Sequence, residues 1–113
     1  MFSYHIVNDD TKVIVAFKGD MDIDVTELME EQITPELMNF SAIEIDFSEV
    51  LFVDSSGIGL LITLTENLKE HGISVEITSL NPDVKQIFSL LQLSEILGLD
   101  VLTDFRETGE VDI

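Results

Sequence analysis

The chain has 113 residues, of which 45% are apolar, so it can bury the core of one domain but not of two. Cysteine is absent, which excludes disulfides and thiolate metal sites. Twenty-three acidic residues against five basic ones give a formal net charge of -18, which opposes binding to nucleic acid and to anionic membranes.

The acidity has two interpretations. Because the carboxylates are spread along the chain between apolar positions, they can serve solubility or adaptation to a salty cytoplasm, which is the favoured interpretation. The alternative is a negative surface that steers a basic partner. The sequence does not begin with a basic leader and an apolar run, and its apolar stretches are shorter than the roughly 20 residues of a spanning helix. We therefore expect a soluble, cytoplasmic protein that does not bind membranes.

The N-terminal region is predicted to form an antiparallel hairpin. Residues 2–7 and 12–18 are two runs typical of strands, and the residues between them are those of a tight turn, Asn8, Asp9, Asp10 and Thr11.

A helix is predicted after Gly19, which breaks the second strand. Asp24, with Glu27 three positions later, has the spacing of a capping box and is the predicted N-cap. Pro35 lies within the helical pattern, and we favour one bent helix over a helix that stops near Ile33 and restarts with Thr34 as its cap. The residues predicted to face the core are Leu28, Met29, Ile33, Leu37 and Phe40.

A second strand-to-helix unit follows. Residues 43–47 alternate apolar and acidic, as in a half-buried strand, and after a short turn the period changes to that of a helix. The change falls at residues 54–57, which places two serine hydroxyls near a helix N-terminus, where a phosphate could sit. The helix stops at Gly72, and its predicted buried face consists of Ile58, Leu61, Ile62, Thr65 and Leu68.

The last third of the chain alternates again. Residues 73–78 read as a strand, and Asn81 followed by Pro82 is typical of a capped helix start. Val101 and Leu102 are predicted to form a last short strand. Residues 1–103 are assigned to one domain, and residues 104–113 to an acidic, frayed tail. Strands that alternate with helices after a hairpin indicate an α/β fold with a small mixed sheet.

The order of these elements and one motif resemble a known family. The motif is Val53-Asp54-Ser55-Ser56-Gly57-Ile58-Gly59, which is similar to the signature of anti-sigma-factor antagonists of the STAS domain family. The resemblance extends over most of the chain and implies the same fold, with helices mainly on one face of the sheet. One departure is the tail, which lacks the apolar stripe of the family's last helix.

The resemblance also implies a function and its residues. It implies a binding switch that is not itself an enzyme, in which Ser56 is phosphorylated by an anti-sigma-factor serine kinase and reset by a serine phosphatase. Asp54, Ser55 and Gly57 would support this phosphorylation site. The partner-binding face would include Asp20, Asp22, Ile58 and Gly59. No cofactor or metal is implied, and the expected state is a monomer or weak dimer.

Other motifs are weaker. Asp20, Asp22, Asp24 and Glu31 match a calcium-loop spacing, but Val25 stands where that loop requires glycine, so we expect no metal site. Two other functions remain as alternatives: a subunit that docks constitutively on a lipid-transport ATPase, and a small hydrolase using Ser55 or Ser56. The hydrolase would need a base near the serine, and His5 and His71 are the only histidines.

Overall fold

The computed structural model describes residues 1–105 and begins with the predicted hairpin. Strand β1 (Ser3–Asp9) pairs antiparallel with β2 (Lys12–Met21), from Ser3 opposite Lys18 to Asp9 opposite Lys12. Asp10 adopts a positive φ of 22° in the turn, a conformation that aspartate tolerates better than most residues.

One continuous helical segment, α1, follows at residues 23–37. It is built from a 3₁₀ turn (Ile23–Val25), an α turn (Thr26–Leu28), a π segment (Met29–Ile33) and a second α turn (Thr34–Leu37). The backbone stays helical through Thr34, so the prediction of one helix across Pro35 is confirmed and the alternative with a restart is wrong. The N-cap prediction is also wrong, because Asp22 and not Asp24 accepts the hydrogen bond that starts the helix.

The central strand is longer than predicted. Strand β3 runs from Ala42 to Val53, and no turn follows Phe47. Instead, the parallel pairing with β2 shifts register twice, between Ala16 and Lys18 and between Gly19 and Asp20. With these bulges, the spacing of buried residues in β3 changes from two to three. A pattern of period two therefore does not detect the second half of the strand.

Helix α2 (Ser55–Glu70) leads to strand β4 (Ser74–Thr78), which pairs parallel to β3. Helices α3 (Pro82–Leu90) and α4 (Leu93–Leu97) come next. Asn81 caps α3 as predicted. The predicted last strand is a single parallel bridge between Leu102 and Ile77.

The sheet order is β1-β2-β3-β4, and its helices pack on one face, so the predicted α/β fold is confirmed. On that face, β2 and β3 bury apolar side chains at alternate positions: Val15 pairs with Ile45, and the Phe17 ring centroid lies 5.9 Å from that of Phe47. On α2, Thr65 is buried as predicted, whereas Ile62 is only half-buried. Within the predicted tail, the Asp104 carboxylate accepts the Leu80 amide, while residues 106–113 lie outside the described residues.

Candidate functional site

Asp54, Ser55 and Ser56 form the start of α2. Asp54 is the N-cap, and its Oδ1 accepts the Gly57 amide at 2.9 Å. Ser55 and Ser56 therefore occupy the first two helical positions, where backbone amides lack intrahelical partners. Ser55 is exposed and Ser56 is half-buried. The predicted pair of hydroxyls at a helix N-terminus is confirmed, with Asp54 holding the turn.

Gly57 fixes the position of this helix start against the sheet. It is buried, and a Cβ added to it would lie 2.3 Å from the Met21 carbonyl oxygen, too close for any side chain. The Asp54 amide donates to the same carbonyl at 3.1 Å. The end of β2 and the start of α2 are thus in direct backbone contact, which explains why glycine stands at this position.

A groove lies between α1 and α2, and Ser56 is on its wall. Its volume is about 460 Å³, and its floor is apolar while its rim carries hydroxyl, amide and carboxylate groups. We call it the α1–α2 groove. Its lining residues are Ile23, Thr26, Met29, Glu30 and Thr34 from α1, and Ser56, Gly59, Leu60, Thr63, Leu64 and Asn67 from α2.

The two predicted partner residues of α2 differ in exposure. Gly59 is exposed and lines the α1–α2 groove, and a Cβ added to it would meet nothing within 4 Å. Ile58 is only 7% exposed and packs in the core. The structure therefore makes Gly59 accessible to a partner and assigns Ile58 a packing role.

The acidic loop lies beside the helix starts. Asp20, Asp22 and Asp24 line a second cavity of about 340 Å³ together with Met1 and Phe2. Asp22 is half-buried and caps α1, whereas Asp20 and Asp24 are exposed. Among residues 1–105, no group of three or more His, Cys, Asp or Glu side chains is placed so that it could hold a metal ion.

Both histidines lie far from the serines. His71 follows the C-terminus of α2, about 22 Å from Ser56 along a helix that rises 1.5 Å per residue. Its Nδ1 is 2.8 Å from the Asn67 carbonyl oxygen. His5 is in the edge strand β1, opposite Ala16, which pairs with Asp46. Asp46 lies seven residues before the end of β3 at Val53, which is roughly 23 Å along the strand from the end nearest the serines.

A polar network crosses the open face of the sheet. Lys12 Nζ is 2.7 Å from Glu44 Oε1 and 3.8 Å from Glu76 Oε1, and the Thr78 hydroxyl donates to Glu44 Oε2 at 2.8 Å. The Lys12 hydrogen bond lowers the pKa of Glu44, against a smaller rise from desolvation. The same hydrogen bond, followed by the Glu44 charge, raises the pKa of Lys12.

Sequence patterns did not show which residues of α1 face α2. Thr26, Glu30 and Thr34 lie at successive i+4 positions on the α1 wall of the groove, so one stripe of α1 supplies that wall. The stripe was recognisable as an exposed helical face, but its position opposite Ser56 depends on the packing of two helices. No helix in the described part of the chain is long and apolar enough to cross a membrane.

The fold and the site define a small α/β domain in which a serine at a helix N-terminus lines an interhelical groove. The model of the STAS domain family matches residues 4–108, and the chain belongs to this family. A Thermotoga maritima protein, named provisionally as an anti-sigma factor antagonist, is 26% identical over 110 residues, which cover 95% of this chain and 96% of that protein. The anti-sigma-B factor antagonist of Bacillus subtilis is 18% identical over 88% of this chain and 91% of its own length.

Solved structures show the same fold. A crystal structure of a Thermotoga maritima protein with the same provisional name has a TM-score of 0.71 at 25% identity, covering 86% of this chain and 83% of that chain. The Bacillus protein SpoIIAA in its phosphorylated form has a TM-score of 0.62 at 19% identity, covering 82% of this chain and 86% of that chain.

Proposed function

We propose that this protein is an anti-sigma-factor antagonist that acts as a phosphorylation-controlled binding switch. In the unmodified form it sequesters an anti-sigma-factor serine kinase, and phosphorylation of Ser56 releases that kinase. A serine phosphatase resets the switch. The observation that carries this proposal is the position of Ser56, at a helix N-terminus and on the wall of an open groove.

In this proposal, phosphoryl transfer needs only an accessible serine hydroxyl from this chain. Ser56 Oγ attacks the γ-phosphorus of ATP held by the kinase, the new O–P bond forms as the bond to ADP breaks, and a base of the kinase takes the hydroxyl proton. Asp54 is already engaged with the Gly57 amide and therefore serves to hold the turn that presents Ser56. The protein is the acceptor of the phosphoryl group, not the catalyst.

Phosphorylation is expected to leave the fold intact. A phosphate adds about 1.5 to 2 negative charges at neutral pH. Near a helix N-terminus, negative charge is favourable by about 0.3–1 kcal/mol, because the free amides of the first turn face it. The modified protein should therefore unfold at nearly the same denaturant concentration as the unmodified one.

If a partner covers Ser56, the same phosphate is expected to weaken its binding strongly. A charge buried without a partner costs about 3–5 kcal/mol, which reduces binding by a hundredfold or more. Among residues 1–105, no Lys or Arg lines the α1–α2 groove to neutralise it. Structures of SpoIIAA in unphosphorylated and phosphorylated forms support the view that such a fold accommodates the modification.

Capture experiments test the proposal. Tagged wild-type protein and the variants Ser56→Asp and Ser55→Ala are incubated with a lysate of the native organism, and retained proteins are identified by mass spectrometry. We expect the wild type and Ser55→Ala to retain an anti-sigma-factor kinase and Ser56→Asp to lose it. With ATP, the captured kinase should phosphorylate Ser55→Ala but not Ser56→Ala.

Two results would contradict the proposal. One is phosphorylation that persists in Ser56→Ala, and the other is capture of the same transport ATPase by the wild type and Ser56→Asp. The second result would establish the alternative function, constitutive docking on a lipid-transport ATPase.

A further inference from the structure

We infer that the α1–α2 groove receives a cationic amphipathic segment of the partner, whose apolar side chains enter the groove while its Lys or Arg side chains face the carboxylates of α1. This inference rests on the proposed function in naming the partner, and it adds the chemistry by which that partner is recognised. Three features of the described structure carry it: the groove, the charge distribution and the space above Gly59.

The groove has an apolar lining and a polar rim, so it can hold an apolar side chain of a partner. Met29 and Leu60 contribute apolar lining, while the rim includes Thr26 and Thr63. At about 460 Å³, it has room for one or two large side chains of another protein. Ile23, which also lines the groove, is 66% exposed and adds apolar surface that a partner can reach. Amphipathic helices bind other proteins by this kind of insertion.

The charges around the groove have one sign. Residues 23–37, which form α1, include five Asp and Glu residues and no Lys, Arg or His. Helix α2 has no basic residue before Lys69. On α1, Glu27, Glu30 and Glu31 are all exposed, and Glu30 lines the groove itself. A partner on this face meets a negative potential, so its contacting residues must be cationic.

The same charge distribution disfavours a second copy of this chain as the occupant. Two copies joined through this face would bring two uniformly acidic surfaces together, and like charges across an interface oppose association. A separate cationic protein is therefore the occupant that the charges select.

This arrangement also determines how phosphorylation acts. A phosphate on Ser56 makes an acidic face more acidic, so at long range it strengthens the attraction of a cationic partner. Release must therefore come from within the groove, where the phosphate obstructs insertion and loses its water. Such an effect is little screened by salt, whereas long-range repulsion is screened within about 10 Å at 0.1 M.

Synthetic helical peptides test the groove without the kinase. The probe is an amphipathic peptide of leucine and lysine, compared with a lysine and serine peptide of equal charge and with a leucine and glutamate peptide. Amide chemical shifts of the isotope-labelled protein report the site. We expect the leucine and lysine peptide to shift amides of both groove walls, and the equally charged serine peptide to bind at least about tenfold more weakly.

Gly59 provides a variant that fills the groove without disturbing the fold. Because an added Cβ has nothing within 4 Å, Gly59→Leu should fold normally and weaken the leucine and lysine peptide by about tenfold, while Gly59→Ala has a smaller effect. For charge, Glu30→Gln should weaken binding by about threefold, whereas Glu66→Gln, also exposed but outside the groove, should change it less.

The inference is overturned if Gly59→Leu binds the peptide as tightly as the wild type, or if the shifts spread over the whole acidic surface, because binding is then only ionic. It is also overturned if groove amides shift with protein concentration alone, which would make a second copy the occupant.

The Ser56→Asp variant separates this inference from the proposed function. If the peptide binds the groove of the wild type and of Ser56→Asp equally, and also at high salt, the groove is a docking site but Ser56 does not control it. If the peptide does not bind in the groove while a captured kinase still phosphorylates Ser56, the proposed function stands and the docking inference falls.

Discussion

Gly57 and Gly59 lie two residues apart in α2 but have opposite surroundings. A Cβ at position 57 would lie 2.3 Å from a backbone carbonyl, whereas one at position 59 points into open space. We expect Gly57→Ala to destabilise the protein by about 1–3 kcal/mol, because the helix must move away from β2. Gly59→Ala should stabilise it by about 0.5–1 kcal/mol, because alanine restricts the unfolded chain.

Urea unfolding of both variants measures these effects. The midpoints should move in opposite directions with similar slopes. Destabilisation by both substitutions would show that the N-terminus of α2 is packed on both sides, contrary to the exposed position of Gly59. The two variants also distinguish an effect on folding from an effect on binding in the groove, because Gly59 lines the groove and Gly57 does not.

Asp54 and Asp22 show what a single residue's sequence context can and cannot predict. Asp54 was predictable as part of a helix start at residues 54–57, although Ser55 and Ser56 are capping residues too. Asp22 was not, because Asp20, Asp22 and Asp24 alternate and any of them could cap a helix. The choice depends on where β2 ends, at Met21 paired with Val53, and that pairing is a long-range contact.

At the scale of elements, Asn81 joins α3 to the bulged part of β3. Its Oδ1 accepts the Val84 amide at 2.9 Å, and its Nδ2 donates to the Val50 carbonyl at 2.7 Å. We expect Asn81→Ala to cost about 2 kcal/mol, roughly one for the cap and one for the partly buried hydrogen bond to Val50. Asn81→Asp keeps the cap and loses the donor, so it should cost about half as much.

Denaturation curves of the two variants provide the comparison. Equal losses for Asn81→Ala and Asn81→Asp would mean that the bond to Val50 carries the whole effect and that the cap adds nothing measurable. Hydrogen exchange of the Val84 amide gives a second measurement, because this amide should lose protection in Asn81→Ala only.

Element types were predictable from the sequence, and their irregularities were not. The bulges in β3 break the alternation after Phe47, so a period-two pattern stops there although the strand continues to Val53. In α1, the Thr34 amide bonds to the Met29 carbonyl five residues back, directly before Pro35, which has no amide hydrogen to donate. A sequence pattern indicates where such a helix must adapt, but the packing of α1 decides how.

The Lys12 and Glu44 pair predicts a pH dependence. The pKa of Glu44 lies below its ordinary value of 4.5 in the folded state, so its contribution is present above that value and is lost as the pH falls through the folded pKa. The raised pKa of Lys12 keeps its contribution present below its ordinary value of 10.5. The stability difference between the wild type and Glu44→Gln should therefore be constant near neutral pH and shrink below about pH 4.5.

Chemical denaturation at a series of pH values measures this difference. Glu66→Gln is the matched control, because Glu66 is exposed and lies outside the network. A difference for Glu44→Gln that stays constant into acid would mean that the Thr78 hydrogen bond, and not the Lys12 charge, gives Glu44 its role.

At the scale of the whole molecule, the sequence gives the net charge but not its arrangement. Composition alone left two interpretations of the acidity, salt adaptation and partner steering. The fold shows that α1 and most of α2, which contain no basic residue between Lys18 and Lys69, pack side by side around Ser56. The four described lysines lie on β2, at the C-terminal end of α2 and on α3.

Two measurements against salt concentration test these interpretations, the melting temperature of the protein and the association rate constant of its partner. The molecule measures 40 × 30 × 22 Å, so at 0.01 M salt, where the screening length is about 30 Å, nearly all of its carboxylates repel one another. At 1 M the length is about 3 Å, and only adjacent charges interact. The melting temperature should therefore rise with NaCl, and that of a Glu27→Gln, Glu31→Gln double variant should rise less steeply.

Partner steering requires the association rate constant of the partner to fall over the same salt range, while the effect of phosphorylation at Ser56 on binding persists. A melting temperature that rises without any fall in that rate would leave salt adaptation as the role of the acidic surface.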